Sequence, residues 1–134
     1  MADLKMEIPE DELIDQEVIE GILELDDGDC DLLAELVEEF ATNFRTDSPK
    51  LLKYINAEEF KEVNSTAHKL KGAAANLGMK HFSKIAYEIE QTGKKMNLEG
   101  AVDIIPELNH SFTLTIKYFK GFFSEHGLEF SFEE

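Results

Sequence analysis

Few cations, one cysteine, three prolines, no tryptophan and no long apolar run mark this 134-residue chain. With Cys30 alone there is no internal disulfide, and no partner pattern supports thiol catalysis. A reducing, cytoplasmic setting is the expectation. Nothing approaches the roughly 18 consecutive apolar residues of a membrane span, and no basic-then-apolar leader opens the sequence. Lysine and arginine total 13 against 29 acids, for a net charge of −16. That balance argues against duplex DNA or an anionic membrane as partner. The period-two alternation of strands is missing from every stretch of any length.

What remains is helical. Apolar residues make up 43% of the chain, enough for one domain with a real core. Ile14, Val18, Ile19, Ile22, Leu23 and Leu25 repeat at helical spacing, then Leu32, Leu33, Leu36, Val37, Phe40 and Phe44. Asp29 or Asp31 is placed to cap the second stripe. Asp47-Ser48-Pro49 predicts a break, with Ser48 as N-cap of a shorter helix through Leu51, Leu52 and Ile55. A third helix runs from about Glu58 to Leu77, with Gly78 as its stop. The fourth carries Phe82, Ile85, Ala86 and Ile89 and frays near Gly93. The last runs from Val102 through Phe123, with Pro106 either near its start or bending it. The expected fold is all-α: an antiparallel up-and-down four-helix bundle with an additional short N-terminal helix. Residues 1–12 read as a flexible lead, 13–124 as the bundle and 125–134 as a tail that extends the last helix, docks or hangs free.

Charge is uneven along the chain. Residues 1–60 hold 19 acids and 4 bases, residues 61–97 hold 3 acids and 7 bases, and residues 98–134 hold 7 acids and 2 bases. The middle segment is thus a basic island, and His68 sits inside it. At 100° per residue, Val63, Thr66, Leu70, Ala73, Ala74 and Leu77 share one side of the third helix. Lys61, Asn64, Ser65, His68, Lys71, Gly72 and Ala75 share the other. A titratable nucleophile on a rigid element, uncrowded and near positive charge, suits acceptance of an anionic group.

The tight link at Leu77-Gly78-Met79-Lys80 makes the third and fourth helices antiparallel neighbours. His68 lies about 15 Å before the turn at 1.5 Å per residue, and an equal distance along the fourth helix arrives near Glu90. Ser83, Tyr87, Glu90 and Lys94 share that face. A Glu90 carboxylate accepting the Nδ1–H would fix the tautomer and leave Nε2 as nucleophile. Lys71, one turn from His68, is placed to offset an incoming anion's charge. Gly72 is costly inside a helix, and it projects beside His68, which reads as clearance for a partner. The partner-binding surface is then Lys61, Asn64, Ser65, Lys69, Gly72, Ala75 and Tyr87.

The run Ala67-His68-Lys69-Leu70-Lys71-Gly72-Ala73-Ala74, followed by Asn76-Leu77-Gly78, resembles the signature of histidine-containing phosphotransfer (HPt) domains. The likeness covers about residues 15–123, including the link Leu25-Asp26-Asp27-Gly28-Asp29. It implies a four-helix bundle in which His68 is phosphorylated, Lys71 is the lysine three positions on, and Gly72 admits a receiver domain. Glu90 matches a position where the family carries Glu or Gln near the imidazole. The implied role is a covalent phosphoryl carrier, not an enzyme, between aspartates of receiver domains in a multi-step two-component phosphorelay. The partners implied are response-regulator receivers and a hybrid sensor kinase, with Mg²⁺ in the receiver's acidic pocket and no cofactor or metal in this chain. A monomer is expected. The alternative is a helical adaptor that binds receivers or other helices without carrying phosphate.

Other signals carry less. Asp27, Asp29, Asp31 and Glu38 fit positions of a calcium loop, but Leu32 stands where the turn demands glycine. Glu107-x-x-His110 occurs once, whereas di-iron bundles need it twice. His81 and His126 have no supporting constellation.

Overall fold

The computed structural model describes residues 8–26 and 30–130. Among them are six helices and no strand: α1 (Glu10–Leu13), α2 (Gln16–Leu25), α3 (Asp31–Asn56), α4 (Phe60–Asn76), α5 (Lys80–Lys94) and α6 (Ala101–Glu125). Helices α3 to α6 form the bundle. Each packs on its sequence neighbour, and α6 returns to α3 to close the ring. Helix α2 lies on α3, and α1 lies on α5. The last residues of the expected lead thus form a helical turn whose Leu13 is buried, while residues 1–7 lie outside the described part.

Local chemistry explains where the helices start and stop. Asp15 caps α2, its Oδ1 accepting from the Glu17 N–H at 3.1 Å. Of the two candidate caps for α3, Asp29 lies outside the described residues and Asp31 is the first residue of the helix. Instead Asp26 reaches forward, its Oδ2 accepting from the Leu32 N–H at 2.9 Å. Helix α4 ends in a Schellman turn, with Met79 N–H bonded to Ala74 O at 2.9 Å and Gly78 N–H to Ala75 O at 3.2 Å. Gly78 takes φ +74°, and an added Cβ there would stand 2.9 Å from the Asp15 carbonyl. The Gly78 carbonyl in turn accepts from the Asp15 N–H at 2.8 Å, fastening the α4–α5 turn to the start of α2.

The expected break at Asp47-Ser48-Pro49 does not occur, because α3 runs through it. Pro49 forfeits one backbone hydrogen bond and strains the turn before it, at about 3 kcal/mol. Leu51 and Ile55 beyond it continue the stripe of Val37, Phe40 and Phe44 in register, and both are buried. Their burial contributes about 1.5–3 kcal/mol each, enough to hold the helix straight through. Ser48 caps nothing and donates to Asn109 Oδ1 at 3.4 Å. Pro106 is likewise inside α6, near its start, and the carbonyl it leaves without a helical donor belongs to the exposed Val102.

The core centres on Phe40, Phe44, Phe82 and Phe112. Phe82 meets Phe40 and Phe44 edge-on at 5.2 Å each, and Phe44 lies 4.5 Å from Phe112. On α4 the buried stripe is Val63, Ala67, Leu70 and Ala74, with Ala73 exposed and Thr66 half-buried. The expected face was therefore rotated: alanines on both sides gave no apolar contrast, and contact with both α3 and α5 selected Ala67. Beyond α6, Gly127 at φ +76° turns the chain back. Leu128 N–H bonds to Phe123 O at 2.9 Å, and the Phe130 ring lies 5.1 Å from Phe123. Through residue 130 the tail docks on the bundle.

Candidate functional site

Helices α4 and α5 make the most extensive packing in the molecule, and the groups of interest straddle their seam. The His68 side chain is 65% exposed, and its Nδ1 lies 2.9 Å from Glu90 Oε2. A carboxylate only accepts, so the hydrogen of the neutral ring belongs on Nδ1 and the lone pair on Nε2. No hydrogen bond to Nε2 is present among the described residues. Glu90 itself is buried.

Lys71 completes the cluster from one turn away, its Nζ 2.9 Å from Glu90 Oε1 and 5.2 Å from the centre of the Tyr87 ring. The carboxylate therefore bridges imidazole and ammonium. Burial pushes its pKa upward, but the hydrogen bonds and charges of Lys71 and His68 outweigh that and hold it below the ordinary 4.5. Glu90 is ionised at neutral pH. Lys71 is half-buried and already paired, so its charge reaches an incoming anion only in competition with Glu90.

The surrounding residues divide. Lys61, Ser65, Ala75 and Tyr87 are exposed around His68. Gly72 meets nothing within 4 Å of an added Cβ, so no packing inside the chain demands glycine there. Asn64 turns inward, donating from Nδ2 to the Glu90 carbonyl at 3.2 Å. Lys69 bends over to α3, its Nζ 3.2 Å from Asp47 Oδ2. Asp47 is buried, and it lines with Lys69, Phe40, Leu70 and Ala73 a groove of about 350 Å³ between α3 and α4.

Two residues of this neighbourhood escaped the sequence reading. Asp47 looked like part of a helix break, and only an unbroken α3 turns it toward Lys69. Gly93 reads from the sequence as the fraying end of its helix, and α5 does end one residue later at Lys94, but Gly93 itself is buried. A Cβ at Gly93 would stand 2.8 Å from Asn64 N and 2.9 Å from Phe60 O. The helix backbones meet there.

The other histidines lie elsewhere. His81 Nδ1 pairs with the buried Ser111 Oγ at 2.9 Å, and His126 Nδ1 with Phe122 O at 2.8 Å. His110 is half-buried on α6. Among the described residues no three His, Cys, Asp or Glu side chains group to hold a metal ion. Asp27 and Asp29 of the calcium-loop pattern fall outside the described part. No described helix is long and apolar enough to cross a membrane.

Comparison with known proteins bears on this geometry. The family model described as Hpt domain matches residues 31–115. Multistep phosphorelay regulator 1 of Schizosaccharomyces pombe is 29% identical over 101 residues, covering 75% of this chain and 34% of that protein. The phosphorelay intermediate protein YPD1 of Candida albicans is 28% identical over 88 residues, covering 66% of this chain and 48% of that one. The chain thus spans between a third and a half of these curated relatives. Among solved structures, histidine-containing phosphotransfer protein B of Pseudomonas aeruginosa superposes with TM-score 0.73 at 21% identity, covering 81% of this chain and 91% of that one. A triclinic crystal form of YPD1P gives 0.72 at 17%, covering 84% and 94%. At those identities the likeness shows a shared fold.

Proposed function

Since the chain belongs to the Hpt domain family, we propose that His68 carries a phosphoryl group between receiver-domain aspartates in a multi-step phosphorelay. The observation that carries this reading is the displayed imidazole, tied through Nδ1 to an ionised, buried carboxylate with Nε2 left outward. In the proposed step the Nε2 lone pair attacks the phosphorus of an aspartyl phosphate. The N–P bond forms as the P–O bond to the aspartate breaks, and that carboxylate leaves with the electron pair. The ring keeps its Nδ1 hydrogen and becomes cationic, a charge that Glu90 opposes at 2.9 Å. Discharge is the reverse, with a second aspartate as nucleophile.

Phosphoryl transfer passes through a loose, charge-spread transition state, so positioning and electrostatics dominate. In this reading Mg²⁺ resides in the receiver's pocket, Gly72 leaves room for the receiver's approach, and Lys71 divides its charge between Glu90 and the phosphoryl oxygens. Lys61, Ser65, Lys69, Ala75 and Tyr87 supply the surrounding docking surface. The protein is then a carrier without turnover, acting as a monomer in the cytoplasm. Mixing it with a phosphorylated receiver and Mg²⁺ should give acid-labile, alkali-stable label. His68→Gln should abolish the label while leaving helicity and melting temperature nearly unchanged. Label surviving in that variant refutes His68 as acceptor. Receiver binding with no transfer in either direction would favour the adaptor instead.

A further inference from the structure

The contact between His68 and Glu90 is set one turn away from either residue. Gly93 stands three residues past Glu90 on α5, and Asn64 four residues before His68 on α4. At their level the two helices approach so closely that a Cβ on Gly93 would lie 2.8 Å from Asn64 N, 3.2 Å from Asn64 Cα and 2.9 Å from Phe60 O. These neighbours are backbone atoms and cannot swing aside. The Asn64 side chain spans the same seam, its amide donating to the Glu90 carbonyl at 3.2 Å. The Gly93 approach sets the interhelical separation, and the Asn64 bond sets how Glu90 faces α4.

We infer that Gly93 and Asn64 are positioning residues, a backbone clamp that holds the Glu90 carboxylate at hydrogen-bond distance from His68 Nδ1 and so selects the tautomer with Nε2 free to react. Geometry gives the sensitivity. Moving a Gly93 Cβ from 2.8 Å to the 3.4 Å of an ordinary contact requires the helices to part by about 0.6 Å. Added to the present 2.9 Å between Nδ1 and Oε2, that retreat leaves about 3.5 Å, the limit of a useful hydrogen bond. The ring, 65% exposed, would then be governed mainly by water, in which an untethered imidazole prefers its hydrogen on Nε2. The site's selectivity between its two nitrogens thus depends on a glycine that touches neither of them.

The consequence for transfer rests on the reading of His68 as phosphoryl carrier, but the tautomer does not. The test is therefore made in two arms on the full chain. Nitrogen-15 spectra of the histidine rings should show the Nδ1–H form dominant for His68 in the wild type and the Nε2–H form gaining in Gly93→Ala. Transfer from a phosphorylated receiver should fall severalfold, by no more than the roughly fivefold that loss of one hydrogen bond to an exposed imidazole gives. Gly121→Ala is the control: this α6 glycine has open space around an added Cβ, and the substitution should move neither readout. Asn64→Ala, which removes one hydrogen bond and no backbone contact, should shift the tautomer in the same direction, and it decides the matter if Gly93→Ala does not fold. Unchanged His68 nitrogen shifts and transfer in the folded Gly93→Ala, or in Asn64→Ala where that is the deciding variant, overturn the clamp. A tautomer shift in a protein whose wild type takes no phosphoryl group would leave the clamp standing and remove the carrier function.

Discussion

Replacing Glu90 by glutamine is the sharpest perturbation of the cluster, because it keeps the volume and removes the charge that two donors share. In the native chain Oε2 accepts from His68 and Oε1 from Lys71, each at 2.9 Å. A glutamine has one acceptor oxygen. If that oxygen serves Lys71, its NH₂ faces the imidazole Nδ1 and favours the tautomer with the hydrogen on Nε2, which removes the nucleophilic lone pair. A hydrogen bond to a charged group contributes about 1.5–3 kcal/mol when buried. The imidazole is 65% exposed, and solvent screening reduces the figure toward about 1 kcal/mol. At about 1.4 kcal/mol per decade, His68 labelling by a phosphorylated receiver should slow roughly fivefold. Rapid-quench measurement of label transfer, with nitrogen-15 spectra of His68 alongside, reads both parts. Equal rates with an unaltered tautomer would show that the carboxylate does not prepare the ring.

Other expectations follow from the same structure. Gly72→Gln should raise helix stability by about 0.5–1 kcal/mol while blocking receiver docking; a stabilised variant that still takes label at the native rate contradicts the clearance argument. Gly78→Ala should destabilise by at least about 1–2 kcal/mol for the left-handed backbone, with the 2.9 Å approach to Asp15 O adding to it, as read by denaturant titration. His81 is held below its ordinary 6.5 chiefly by burial and then by Lys84, against the opposing pull of Glu12 and Glu107. Below pH 6.5 the unfolded chain therefore binds a proton at this site that the folded chain resists, and stability falls as pH drops through that window. His81→Gln should flatten the stability–pH slope there, and an unchanged slope removes His81 as its source. Glu90, depressed below 4.5, contributes stability that is present above pH 4.5 and lost as pH falls through its lowered folded value; Glu90→Gln should lose that acid-limb steepness.

The sequence exposed some of this and concealed the rest for identifiable reasons. Helical periodicity and the glycine turn at 78 were enough to place α4 against α5 and His68 near Glu90, since both inferences rest on rise per residue and one short link. The unbroken α3 was not legible, because a proline's local cost is weighed against the in-register burial of Leu51 and Ile55, which only the bundle reveals. Asp26 as a cap for α3 arises from a side chain six residues before the amide it serves, beyond the usual local pattern. The exchange of Ala67 for Ala73 on the buried face reflects how little apolar contrast alanine carries. Gly93 signals a helix end and nothing more: a buried glycine at a helix crossing and a terminal one look alike until the second helix is in place.

The His68–Glu90 contact spans 22 residues across a single turn that is itself fastened to Asp15. Bringing such a short stretch together costs little chain entropy. Bringing His68 and Glu90 together therefore needs only the α4–α5 hairpin and not the return of α6 to α3. Hydrogen exchange should find its amides among the slowest, and opening near residue 125 should pass without disturbing the ring.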